Sequence, residues 1–489
     1  MYKILFALAA FSSLFGSING QVKKPNIIII NLDDLGVGDV SAYKKGSLNT
    51  PNIDFLANNG VRFNKGYATS ATCTPSRYAL LTGLYPWKNS QAKILPGDAP
   101  LIIDTSLMTL PKVLKRANYT TAVVGKWHLG LGNATIDWNK KISFAPSEVG
   151  FDYSFIMAAT TDRVPTVYIE NNKVVGLEEK DPLFVSYQQN FDNEPTAISH
   201  PELMTKMKWH HGHNQSVHNG IPRIGFMKGG KNALWIDEDM NDIFLQKGLD
   251  FIQSSQNKPF FLYFALHQPH VPRVPHPRFV GTSGMGPRGD AILEADWCVG
   301  ELFKKLKELK MLENTLIVFT SDNGPWINYG NHAGSTGGLR EGKGTSFEGG
   351  QRVPGIIRWK GTIQPNVVSN QLVSTIDLFP TIAAITKASL PNKKIDGVSI
   401  LPILQGDKNA TPRKTFLYYY RKNSLEAVRI DNWKLVFAHP ARSYLNQLPG
   451  MNGYPGKSPE DINMPLALYD LRRDPAENKQ LQQMSCKKR

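Results

Sequence analysis

Four short apolar runs in this chain end on side chains that can do chemistry. PNIIIINLDD closes on Asp33 and Asp34, and TTAVVGKWH on Lys126 and His128. KPFFLYFALHQPH carries His267 and His270, and NTLIVFTSDNG carries Asp322 and Asn323. Carboxylates brought to one point repel each other unless a cation sits among them. Oxygen-only ligation by Asp33, Asp34, Asp322 and Asn323 points to Ca²⁺, with Mg²⁺ as the alternative, rather than to zinc. Taken singly, an Asp-Asp or Asp-Asn step reads as a turn or a helix cap. Four such endings together favour one site.

Lys126 and Lys343 offer positive charge to an oxyanion, although most lysines face solvent. The stretch GGLREGK, residues 337–343, imitates a phosphate-binding loop. It lacks the Ser or Thr after the lysine and the strand that leads in, so the nucleotide reading is rejected. Its glycines instead allow backbone and Lys343 to approach a compact anion.

The sequence CTPSRYALLTG, residues 73–83, poses a separate question. A thiol at a helix N-terminus beside Arg77 is expected to be acidified and reactive. A thiolate enzyme with His128 or His270 as base follows as one reading. It sits awkwardly beside a hard cation site, because Ca²⁺ and Mg²⁺ do not favour sulfur.

Elements must exist to hold these groups together. The apolar runs are rich in β-branched and aromatic residues and alternate with helical patterns such as TLPKVLKRAN and DAILEADWCVGELFKKLKEL. That pattern predicts an α/β fold, a large, mixed and mostly parallel sheet flanked by helices. Ligands in such sheets lie beyond the carboxyl ends of the strands, where all four endings fall. Past residue 410 shorter alternating strands with Asp-Asn and Asp-Pro turns predict a small antiparallel sheet. The division expected is a leader over 1–20, a catalytic domain over 21–410 and a C-terminal subdomain over 411–489.

The leader, MYKILFALAAFSSLFGSING, has signal-peptide architecture and predicts a secreted or periplasmic enzyme without a membrane anchor. Three cysteines, Cys73, Cys298 and Cys486, exclude a disulfide scaffold; Cys298 reads as a core residue. Lys and Arg exceed Asp and Glu by 56 − 41 = 15. A solvated surface accounts for most such excesses, and an anionic polysaccharide suits the remainder. No zinc-finger, RNA-binding or basic-helix signature supports nucleic acid.

With these motifs in hand, the chain resembles the type I, formylglycine-dependent sulfatases of the alkaline-phosphatase superfamily. The resemblance rests on Cys-x-Pro-Ser-Arg followed by Leu-Thr-Gly, and on NLDD, VVGKWHLG, HQPHVP, SDNG, LREGKGTSFEGGQRVP and VSTIDLFPT. Glu341 stands where glycine is common. The resemblance implies that a maturation enzyme oxidises Cys73 to formylglycine, an aldehyde carried as its hydrate. It further implies that Asp33, Asp34, Asp322 and Asn323 bind a calcium ion that also touches the modified Cys73. One hydroxyl of the hydrate would attack sulfur, with Arg77 holding that hydrate and Lys126 and Lys343 neutralising sulfate oxygens. His270 would protonate the departing sugar oxygen, His267 would lie near it, and His128 would help remove the second hydroxyl's proton.

The stretch from about 159 to 235 is the least family-like and is expected to face the substrate. Asp162, Arg163, His211 and His213 are its candidate sugar contacts, and Arg163 could meet a second sulfate or a carboxylate. The implied substrate is a sulfated carbohydrate of algal-galactan or glycosaminoglycan type. Its rivals are a phosphatase or phosphodiesterase of the same superfamily, an inactive carbohydrate-binding homologue, and the thiol enzyme.

Overall fold

The computed structural model describes residues 24–46, 48–208, 212–421 and 424–481. The leader, His211 and Cys486 lie outside the described residues. A ten-stranded sheet runs in the order Val367–Ser374, Val61–Tyr67, Gly355–Arg358, Thr315–Ser321, Asn26–Leu32, Phe260–Ala265, Thr120–Lys126, Tyr153–Met157, Tyr168–Glu170 and Lys173–Val174. The five strands from Thr315–Ser321 through Tyr153–Met157 are parallel. Gly355–Arg358 and Tyr168–Glu170 run antiparallel to their neighbours, so the sheet is mixed.

The central strands are continuous apolar runs because both faces are covered. Ile27 and Ile29 enter one core while Ile28 and Ile30 enter the other, as the two-residue strand period requires. On one face lie the helices Met240–Ser254 and Gly286–Glu308, contributing Phe244, Ile252, Ile292 and Leu302. Cys298 is buried there as a core residue. On the other face lie Cys73–Thr82, Leu110–Arg116 and Leu378–Thr386.

A four-stranded antiparallel sheet follows, in the order Thr415–Tyr419, Leu425–Ile430, Trp433–Val436 and Ala467–Asp470. Its buried face shares one cluster with Tyr67, Phe347 and Leu372 of the preceding chain. No helix among the described residues is long and apolar enough to cross a membrane.

Candidate active site

Strand register brings the four endings to one edge. Leu32 pairs with Ser321, Asn31 with Ala265, and Ala265 with Gly125. Asp33, Asp322, Lys126 and Leu266 therefore leave the sheet side by side. Gly125 has φ +110°, and a Cβ there would stand 2.0 Å from the Ala265 carbonyl oxygen, so the strand can turn towards Lys126 only without a side chain. Asp34 adopts left-handed backbone at φ 63°, which Asp tolerates better than most residues. Arg288 holds it there, donating through Nη2 to the Asp34 carbonyl at 2.8 Å and through Nη1 to Asp39 at 2.9 Å.

Cys73 opens a helix whose ten residues are all buried. Its thiol donates to Asp33 Oδ1 at 3.4 Å. One turn on, Arg77 donates through Nε to Asp322 Oδ2 at 2.8 Å and through Nη1 to the Lys126 carbonyl at 2.9 Å. The expectation of an acidified thiol is overturned. Burial first, and then the negative charge of Asp33, push Cys73 up to about 12 despite Lys126 and Lys343. The thiol-enzyme reading thereby loses its thiolate.

Lys126 pairs with Asp33, and Lys343 Nζ lies 2.7 Å from Asp34 Oδ1. Burial opposes charge on Asp33, yet Lys126, His270, Arg77 and Lys343 together hold its carboxyl well below the usual range. Burial and Asp33 push Asp322 the other way, to about 6, against Arg77. Oxygens of Asp33 and Asp34, Cys73 Sγ and a His270 ring nitrogen lie within 4.8 Å of one another. Asn323 Nδ2 donates to Asp34 Oδ1 at 2.7 Å, while its buried Oδ1 has no hydrogen-bond partner. An orphaned amide oxygen beside clustered carboxylates fits a hard cation. Asp322 falls outside that group of four and pairs with Arg77.

The histidines differ in what they offer. His128 Nε2 lies 3.1 Å from the Leu95 carbonyl, which can only accept, so the proton sits on Nε2. Nδ1 then carries a lone pair with no hydrogen-bond partner, and burial with Lys126 keeps the ring neutral. His270 Nδ1 donates to the Val271 carbonyl at 2.6 Å, leaving Nε2 3.9 Å from Asp34 Oδ2. Burial and Lys343 push His270 down to about 4. His267 is buried near Phe244, and its carbonyl accepts from the His270 N–H at 3.1 Å. It supports the His270 turn.

From the 159–235 stretch, Asp162 is buried and lies between His213 and Arg163. His213 Nε2 is 2.9 Å from Asp162 Oδ2, and Arg163 Nη1 is 2.9 Å from Oδ1. Asp162 acts electrostatically on His270, so this trio lies beside that histidine. Trp235 of the same stretch packs in the core. Sequence reasoning missed Arg288, because a lone Arg in a helix of mixed charge reads as solvent-facing. It also missed Arg273, hidden in the proline-rich HQPHVPRVP loop.

Residues 25–388 match the family model described as sulfatase, and residues 412–489 match the C-terminal region of aryl-sulfatase. The N-acetylgalactosamine-6-O-sulfatase of Bacteroides thetaiotaomicron is 45% identical, the alignment covering 94% of this chain and 90% of that protein. Human arylsulfatase A is 32% identical, with 97% of this chain and 85% of the relative covered. A solved structure from work on glycosaminoglycan metabolism by Bacteroides thetaiotaomicron superposes with TM-score 0.87 at 44% identity, over 94% of this chain and 95% of that one.

Proposed function

The chain belongs to the type I sulfatases of the alkaline-phosphatase superfamily, and from that premise we propose an exported enzyme that removes sulfate from glycosaminoglycan-type sugars. The first candidate substrate is 6-O-sulfated N-acetylgalactosamine, because the 45%-identical relative is named for that sugar. The leader at residues 1–20 supports export.

The observation that carries the mechanism is Cys73, its thiol kept protonated by burial and Asp33, packed against Asp33 and one helical turn from Arg77. We take Cys73 to be matured by a formylglycine-generating enzyme, and the hydrate of that aldehyde would supply the oxygen nucleophile. Asp33, Asp34, Asn323 and Asp322 would hold Ca²⁺, which supplies positive charge to nucleophile and sulfate. Arg77 keeps Nη2 in reserve: it lies 2.7 Å from Asp322 Oδ2 without hydrogen-bond geometry. That donor is placed to orient the group at position 73.

Lys126 and Lys343 set two ammonium groups where charge builds on sulfate oxygens, the preorganised stabilisation such transfer needs. His270 Nε2 gives a proton to the departing sugar oxygen, having taken one up as the anionic substrate offsets Lys343. His128 Nδ1, the free lone pair, accepts the proton whose loss restores the resting side chain. Asp162, Arg163 and His213 orient the sugar ring.

The test is peptide mass spectrometry across residue 73 together with sulfate release from 6-sulfated N-acetylgalactosamine. An intact thiol in fully active protein would overturn the proposal. A phosphatase reading predicts faster release from the matched phosphate ester, and Cys73 in place of Ser or Thr weighs against it.

A further inference from the structure

Three residues beyond His270 the chain carries Arg273, more than nine-tenths buried. Its Nε donates to the Pro269 carbonyl at 3.1 Å, and its guanidinium lies 4.7 Å from the centroid of the Tyr329 ring. Among the described residues Nη2 has no hydrogen-bond partner and no carboxylate pairs with it. The neighbouring Arg288 is committed to Asp39. Burial and Arg288 lower the Arg273 pKa only to about 10, so the charge persists at neutral pH. A buried guanidinium left with an open donor is costly unless something occupies it.

Arg273 lines a cleft of 420 Å³, together with Val271, Lys206, Lys208, His332 and Tyr454 among others. The volume falls within the roughly 300–1,000 Å³ of small-ligand sites. No Asp or Glu lines it. Lys206 is already met by Glu238 and Asn219. Burial and Arg273 push His332 down, so it faces the cleft as a neutral imidazole. The cleft adjoins the catalytic centre. Val271 lines it and its carbonyl accepts from His270 Nδ1–H, and Tyr329 feels both Arg273 and Lys343.

We propose that this cleft is a second anion subsite, seating an oxyanion on the sugar next to the sulfated one. That oxyanion is a uronic carboxylate or a second sulfate, either of which suits an arginine with donors to spare. The inference rests on the sulfatase reading and deepens it: the natural substrate is an oligosaccharide with anionic neighbours, rather than a lone sulfated sugar.

The experiment is calorimetric binding of the desulfated product, a disaccharide of glucuronic acid and N-acetylgalactosamine, at fixed ionic strength. Comparison probes are the same disaccharide with its carboxyl reduced to an alcohol, and the reduced disaccharide carrying one sulfate on the neighbouring ring. Wild type should bind one of the two anionic probes about tenfold more tightly than the neutral one. Which one is preferred identifies the anion. Arg273→Gln should abolish that preference, and Arg273→Lys should restore part of it. Equal binding of all three by wild type overturns the subsite, a result independent of whether Arg273 variants fold. A preference that survives in folded Arg273→Gln overturns the assignment to Arg273. Binding preference without sulfate release would instead leave the subsite standing and overturn the sulfatase reading.

Discussion

Arg77 and Asp322 form a fully buried ion pair, with Arg77 Nε donating to Asp322 Oδ2 at 2.8 Å while Nη1 reaches across to the Lys126 carbonyl. One planar group thus ties the helix at Cys73 to two strand ends. Lysine would keep the charge and lose the fork. Arg77→Lys is expected to fold and to lower kcat by at least about a hundredfold, the cost of removing one oriented donor. Circular dichroism with steady-state sulfate release checks it; turnover within a few-fold of wild type would reduce Arg77 to a buttress.

Serine at position 73 fits the space of the thiol but has only one oxygen. After taking sulfate it offers no second hydroxyl whose deprotonation by His128 could expel it. Cys73→Ser should therefore release one equivalent of sugar alcohol and then stop, with sulfate retained on the protein. Rapid-quench product counting and intact mass read this directly. Sustained multiple turnovers would break the mechanism.

Chelation tests the cation. The unpartnered Asn323 Oδ1 and the clustered carboxylates are worse off without a positive centre. Removal of Ca²⁺ should abolish activity and lower the melting temperature, by linkage amounting to about 2.7 kcal/mol at a hundredfold excess of ion over Kd. Calcium should restore both, and Asn323→Ala should shift the calcium needed upward. Activity unchanged after exhaustive chelation would remove the ion from the proposal.

Much of this site was legible because strand ends are marked twice, by apolar runs and by the abrupt polar residues that follow. Asp33, Lys126, His270 and Asp322 were found that way, and parallel pairing of their strands did the rest. That Cys73 stays protonated was not foreseeable. Sequence shows a helix start beside Arg77, whereas Asp33 and complete burial reverse the sign. Arg288 and Arg273 escaped because their partners, Asp39 and the Pro269 carbonyl, are fixed only by tertiary packing. The C-terminal strands were visible as alternation, but the hold of Tyr444, in the loop after His439–Ala441, on the Lys343 carbonyl was not.

Glu294 supplies a pH signature. Burial, resisted by a hydrogen bond from Gln268, pushes its carboxyl up to about 7 from an ordinary 4.5. The folded state therefore holds the proton more tightly than the unfolded chain. The contribution of Glu294 to stability is greatest below about pH 4.5, falls as pH rises to about 7 and then levels, a loss on the order of 1–3 kcal/mol. Glu294→Gln should lack that slope, so the melting temperatures of variant and wild type should diverge between pH 5 and about 7. Parallel curves would mean that Glu294 is charged throughout. Because Gln268 also accepts the Asp33 N–H through its carbonyl at 3.0 Å, the same comparison reports on the wall of the active site.

Glu348 ties the C-terminal sheet to the segment that carries Lys343. Tyr418 donates to its Oε1 at 2.6 Å, Tyr67 donates to Oε2, and Lys434 stands 3.4 Å away while also pairing with Glu477 at 2.8 Å. Burial opposes charge on Glu348, yet Lys434, Arg429 and Arg352 hold it ionised, down to about 2. Glu348 lies five residues after Lys343, whose carbonyl accepts from the Tyr444 hydroxyl at 2.6 Å. The segment bearing Lys343 is thus pinned at both ends by later chain. Glu348→Gln leaves buried Lys434 and Arg429 short of a counter-charge and should cost about 3–5 kcal/mol. If that anchor also positions Lys343, the variant at a temperature where it remains folded should show lower kcat/KM, and Tyr444→Phe a smaller drop with little loss of stability. Full kcat/KM in a destabilised Glu348→Gln would separate the two, leaving the cluster as a folding device alone.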